Sequence, residues 1–209
     1  MKTTKKNRAL SRSLAAIALT GAAFSAMAAP VPYANPGTEN VIEYSFTAIG
    51  TGAINAYFVS KGEADYTNTV GISVNGVETG VFGLNNQTSS YGQAFNLGFA
   101  NAGDSVVFTI RVADIGRDFS SDKSLNIDGV NHVYSSAYGG DQFIPAGLYV
   151  AFEDLKGVDF PQDFDYIDLQ IVVSNVGSPV VTPEVPLPAA AWLFGSALVG
   201  LAGTARRRS

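Results

Sequence analysis

The sequence predicts a mostly β protein, with an antiparallel β-sandwich ectodomain over residues 29–176 flanked by an N-terminal signal peptide and a C-terminal single transmembrane helix. Short segments rich in β-branched and aromatic residues recur between Gly, Asn and Asp turns at a spacing of about ten residues, the rhythm of a sandwich. No stretch of this region carries a sustained helical period with caps. The ends differ from the middle: Lys2, Lys5, Lys6, Arg8, Arg12, Arg206, Arg207 and Arg208 sit there, while all 18 acidic residues lie between Glu39 and Glu184.

In chain order, residues 1–12 carry five positive charges, and Ser13–Phe24 is an apolar run too short to span a bilayer comfortably. The run ends in small residues. Ala26 and Ala28 fit the small-x-small cleavage pattern, so residues 1–28 read as a signal peptide removed by signal peptidase after Ala28. An uncleaved N-terminal anchor is the alternative.

Strands are expected at Val41–Ile49, Ala53–Ser60, Val70–Val74, Val77–Phe82, Ser105–Val112, Gly147–Phe152 and Ile167–Ser174. In the fifth, Val106, Phe108 and Ile110 alternate with Thr109 and Arg111, and Ile167, Leu169, Ile171 and Val173 repeat that alternation in the seventh. Asn75-Gly76 is a hairpin signal, because a type I′ turn needs positive φ at both central residues. Arg117–Asn126 reads as a loop.

Charge narrows the function classes. Between Glu39 and Glu184 only Lys61, Arg111, Arg117, Lys123 and Lys156 oppose 18 acidic residues, a net charge of −13. Nucleic acid is therefore not an expected partner, since phosphate binding needs concentrated positive charge. The chain has no cysteine, which removes disulfides and thiolate chemistry. No G-x-S-x-G elbow, phosphate loop or H-E-x-x-H occurs.

The strongest candidate chemistry lies in Glu153, Asp154, Asp159, Asp163, Asp165 and Asp168, six carboxylates within sixteen positions. Ca²⁺ takes six to eight oxygen ligands, which such a segment can supply in part, and relief of the mutual repulsion couples binding to folding. The candidate ligands are Glu153, Asp154, Asp163, Asp165 and Asp168. Two other readings stand beside this one. Glu153, Asp163 and Asp165 can be solvated turn or edge residues that discourage sheet pairing, or two of the carboxylates can act as a glycosidase acid and base at a separation of about 5–9.5 Å. His132, the only histidine, shows no partner in the sequence and reads as structural. Tyr91, Tyr134, Tyr138 and Phe143 are candidates to stack on sugars, although core packing is the commoner role of such residues.

The acidic segment resembles the FED…D-x-D-[YF]-N-D strings of exported β domains of the DUF4114 type and of many PEP-CTERM ectodomains. The resemblance implies Ca²⁺ binding, with Ile167 standing where that pattern has Asn.

Residues 177–184 have the composition of an extended spacer. The tail follows in a fixed order. In Val185-Pro186-Leu187-Pro188 the prolines hold the backbone extended. Ala189 to Ala205 is uncharged, and its 17 residues reach about 25 Å as a helix, the low end of a membrane span. Arg206, Arg207 and Arg208 should stay cytoplasmic, which places the ectodomain outside. A plain single-pass anchor has the same hydropathy. The motif Val185, Pro186, Leu187, Pro188 and Ala189 with its helix and arginines resembles the VPLPA variant of the PEP-CTERM sorting signal. That resemblance implies export by the general secretion route in a Gram-negative, exopolysaccharide-producing host. It also implies an inner-membrane intermediate processed by an exosortase-class peptidase, then delivery to the cell surface or extracellular matrix.

Two functions are thus expected in order: a non-catalytic surface or matrix protein with Ca²⁺ as candidate cofactor, or a secreted protein that binds or acts on polysaccharide.

Overall fold

The structure, a computed structural model, describes residues 32–155 and 163–177. The signal peptide, Asp159, the spacer beyond Gly177 and the sorting tail lie outside the described residues. Within them the fold is mostly β: β1 (Phe46–Ala48), β2 (Gly52–Ser60), β3 (Asn68–Val74), β4 (Val77–Gly83), β5 (Ala94–Ala100), β6 (Ser105–Val112), β7 (Arg117–Ser120), β8 (Val133–Tyr138), β9 (Gly147–Phe152), β10 (Leu169–Val173) and β11 (Val176–Gly177). One sheet runs β11-β1-β6-β3-β4, with β7 also paired to β6, and the other runs β5-β2-β10-β9-β8. Every pairing is antiparallel.

Period-2 alternation explains the main core. On β6, Val106, Phe108, Ile110 and Val112 are buried against Ile54, Leu97 and Ile171 of the facing sheet. Arg111 points outward, pairs with Asp118 at 2.9 Å and lies over the Phe82 ring at 3.7 Å. Truncating Phe108, which has no exposed surface, should cost about 3–5 kcal/mol. The Asn75-Gly76 turn forms as expected, with φ of 49° and 78° and Val74 opposite Val77.

Alternation fails on β9 and β10 because their sheet is covered on both faces. All of β10 is buried: Leu169, Ile171 and Val173 join the inter-sheet core, while Val172 joins an outer cluster with Val59, Tyr138, Ile144, Tyr149, Ala151 and Tyr166. The segment before β1 helps cover that outer face, Tyr33 meeting Tyr166 edge-on at 4.8 Å.

Several boundaries differ from the sequence reading. Arg117–Asn126 is not a loop throughout: β7 pairs with the free edge of β6 from Arg117 opposite Val112 to Ser120 opposite Thr109, with Phe119 buried, and Lys123–Leu125 forms a 3₁₀ turn capped by Asp122. The expected first strand shrinks to β1. The seventh begins only at Leu169, since Asp165 Oδ1 accepts from Ile167 N in a local turn and Tyr166 has a φ of 55°. β5, β8 and β11 were not expected, because their Gly, Ser and Asn content reads as loop.

The topology gathers five chain passages at one end of the sandwich. There β2 leaves at Ser60, β3 enters at Asn68, β8 enters at Val133, β9 leaves at Phe152 and β10 enters at Leu169. The paired registers Ser60 with Gln170, Phe152 with Leu169 and Val133 with Phe152 fix β2, β10, β9 and β8 to a common level, and the Asn68–Asp154 hydrogen bond sets the start of β3 beside them.

Candidate metal centre

Glu153 and Asp154 follow β9 directly, and Asp168 immediately precedes β10, so the last ladder pair of those strands sets all three side by side. Asp168 N donates to Phe152 O at 3.1 Å, and Asp154 N donates to Asp168 Oδ2 at 2.8 Å. Asp163 and Asp165 arrive on the following loop. That loop holds Phe164 and Tyr166 at φ of 46° and 55°, a left-handed conformation rare for bulky residues. Tyr166 is anchored to keep it there: its hydroxyl donates to Asn131 O and accepts from Asn40 N, both at 2.9 Å.

Two sets of carboxylate oxygens result, each lying within 4.8 Å of one another: Glu153 with Asp163 and Asp165, and Glu153 with Asp154 and Asp168. All five carboxylates singled out from the sequence thus meet, and Glu153 belongs to both sets. Asp159 lies outside the described residues. The reading of Glu153 as a solvated edge residue is overturned, because its side chain has no exposed surface. It directly follows a strand whose last four residues are all buried.

Hydrogen bonding across the site is uneven. Asp154 Oδ2 accepts from Asn68 Nδ2 at 2.6 Å. Glu153 Oε1 has only a long contact of 3.4 Å from Leu155 N, and Oε2 has no partner among the described residues. Asn68 Oδ1 is likewise buried without one. A buried polar atom left unmet costs about 1–3 kcal/mol, so such atoms are rare unless something else meets them. Burial raises the pKa of Glu153, and the charges of Asp168, Asp163 and Asp165 raise it further. Asp168 is raised by burial and then by Asp154; Asp154 and Asp165 are raised chiefly by burial. Among the described residues the Lys and Arg ion pairs are Arg111–Asp118 and Lys123–Glu39, and neither includes a carboxylate of the cluster.

Beside the cluster lies a cavity of about 380 Å³ lined by Tyr66, Leu155, Glu63 and Asp65 together with Asp154, Asp163 and Asp168. The position where the resembling pattern has Asn is filled by packing: a Cβ on Gly62, whose φ is +50°, would lie 2.5 Å from Cγ1 of Ile167. Ile167 therefore braces the 163–167 loop against the β2–β3 turn, and Gly is required opposite it.

Three supporting residues were not found from sequence. His132, read as a lone structural histidine, is buried, stacked on Phe119 at 3.9 Å, and donates from Nδ1 to Glu153 O at 2.8 Å. Its Nε2 meets Asp128 Oδ2 at 3.1 Å, and that i, i+4 spacing was the available signal. Asn86 accepts from Asn68 N at 2.7 Å and donates to Tyr66 O and Asp168 O at 2.9 and 3.2 Å. Asn68 itself carried no sequence signal. Of the four aromatics considered for sugar stacking, Tyr138 is buried and Tyr134 partly so, while Tyr91 and Phe143 are exposed and meet edge-on. Comparison with protein-family models, curated proteins and solved structures finds no match to this chain.

Proposed function

We propose that this chain is an exported, non-catalytic surface or matrix protein whose β-sandwich is stabilised by a hard divalent cation, Ca²⁺ foremost, bound at the acidic end. The observation that carries the reading is Glu153: fully buried, with Oε2 unmet, among four other carboxylates that pair with no Lys or Arg among the described residues. All the donors are oxygens, the set that Ca²⁺ prefers. Glu153, Asp154, Asp163, Asp165 and Asp168 would hold the ion. Its charge would offset their repulsion and tie the 163–167 loop to the ends of β9 and β10. The polysaccharide-hydrolase alternative would use two of the same carboxylates as acid and base, and the gathering of five carboxylates around a buried, unmet Glu153 favours a cation over it.

The cellular side of the proposal rests on the sequence. The signal peptide and the VPLPA-type tail support export, a transient inner-membrane stage, handling by signal peptidase and an exosortase-class enzyme, and release among exopolysaccharide at the surface. Intact mass of the protein from medium and membranes tests this: a species from Ala29 to near Pro188 is expected, and a membrane form retaining Arg208 as the sole product would overturn it. For the cation, thermal unfolding of the purified protein in EDTA and in saturating Ca²⁺ is decisive. At a hundredfold excess over Kd, binding adds about 2.7 kcal/mol, a rise in Tm on the order of 10 °C. Equal midpoints would sink the Ca²⁺ reading.

A further inference from the structure

The acidic end has the layout of two cation positions. The oxygens of Glu153, Asp163 and Asp165 converge, as do those of Glu153, Asp154 and Asp168, but the five do not merge into one convergent set. Each triad by itself brings three oxygens close enough to surround one ion with ligands at about 2.3–2.6 Å. Glu153 alone is common to both, it is fully buried, and it is the member whose oxygens the protein leaves almost unmet. Three of the other four members are partly engaged: Asp165 with Ile167 N, Asp154 with Asn68, Asp168 with Asp154 N.

From this arrangement we infer that the site is a two-cation centre for divalent metal ions, with Glu153 bridging the two and each triad completing one position. The inference rests on the cation-binding reading above and specifies its stoichiometry. Charge supports it. Five ionised carboxylates matched by one divalent cation leave three negative charges in a buried corner, whereas two cations leave one. The surroundings support it as well. Asp163, from the first triad, and Asp154 and Asp168, from the second, all line the 380 Å³ cavity, so both positions have a side on which water can supply remaining ligands. Oxygen-only donors select Ca²⁺ over softer ions at both.

Native mass spectrometry and calorimetric titration of the full chain with Ca²⁺ alone test the proposal, with near-UV circular dichroism as a check on folding. Two ions per chain are expected. Asp165→Asn, confined to the first triad, and Asp168→Asn, confined to the second, should each bind one ion, and Glu153→Gln should bind neither with measurable affinity. One ion per chain in the unaltered protein would overturn the two-cation centre while leaving the Ca²⁺ reading standing; no ion would overturn both. Two positions that each survive Glu153→Gln would refute the bridging role.

Discussion

Two carboxylates of this domain meet opposite fates. Asp141, in the turn between β8 and β9, is saturated by the protein: Tyr138 and Tyr91 hydroxyls donate to Oδ2, the first at 2.5 Å, and the backbone N–H groups of Phe143 and Ile144 donate to Oδ1 at 2.7 and 2.9 Å. Those bonds hold its pKa well below the usual carboxylate range, the tyrosine bonds foremost. Glu153, at the opposite end of β9, is more deeply enclosed and has almost no donors, and burial pushes its pKa upward. The chain can thus build a complete donor shell around a carboxylate where that carboxylate serves only to pin a loop. Around Glu153 it supplies, among the described residues, only the long contact from Leu155 N.

The largest effect should come from removing the unmet charge. Glu153→Gln is expected to abolish the Tm rise on adding Ca²⁺ and, in EDTA at pH 7, to raise stability by about 2 kcal/mol, because the neutral amide spares the cost of a buried carboxylate. Asp141→Asn should act with the opposite sign, lowering stability in EDTA and leaving the Ca²⁺ response intact; chemical denaturation with and without the metal reads both.

The two carboxylates also predict separate pH windows. Glu153 and Asp168 have folded-state values raised above the ordinary 4.5 and 3.8. Their favourable contribution is therefore complete below that range and is lost as pH rises through the raised values. Metal-free protein should lose stability from pH 5 to pH 8, and Ca²⁺, which needs the ionised groups, should flatten or reverse that slope. Asp141 is lowered, so its contribution is present above 3.8 and is lost as pH falls below it. A metal-free profile that rises from pH 5 to pH 8 would contradict the assignment of the raised groups.

Gly62→Ala should cost about 1–2 kcal/mol through its left-handed backbone and the clash with Ile167, and should weaken Ca²⁺ binding because Ile167 braces the loop. Asn75→Ala, at the far hairpin, should cost about 1 kcal/mol through the same backbone term and leave the Ca²⁺ affinity unchanged. Equal Ca²⁺ affinities for the two variants would remove the bracing role.

Legibility in the sequence followed the locality of the signal. β6 and β9 were found to the residue, since β6 alternates apolar and polar residues and β9 is a short apolar run opened by Gly, and the Asn75-Gly76 turn needs only two residues. β7 went unread because four residues are too few for a period, and its pairing to β6 is set by what β6 leaves unpaired. The five carboxylates were visible as a cluster in sequence. Their division into two triads was not, because it depends on the β9–β10 register and on left-handed residues at Phe164 and Tyr166, positions where propensity gives no warning. Asn68, Asn86 and His132 reach the site from other passages, and only folding brings them there.

The segment ahead of β1 is fastened through the 163–167 loop. Gly37 N donates to Asp163 O at 2.5 Å, Asn40 N to the Tyr166 hydroxyl, and Tyr33 lies against the Tyr166 ring. Residues 32–40 are therefore a belt buckled on the same few residues that would hold metal. Given the proposed Ca²⁺ site, loss of the ion slackens the buckle first, and the belt becomes the place where a protease starts. With the proposed ion bound, such a domain would keep residues 32–40 intact where calcium is plentiful and surrender them where it is scarce.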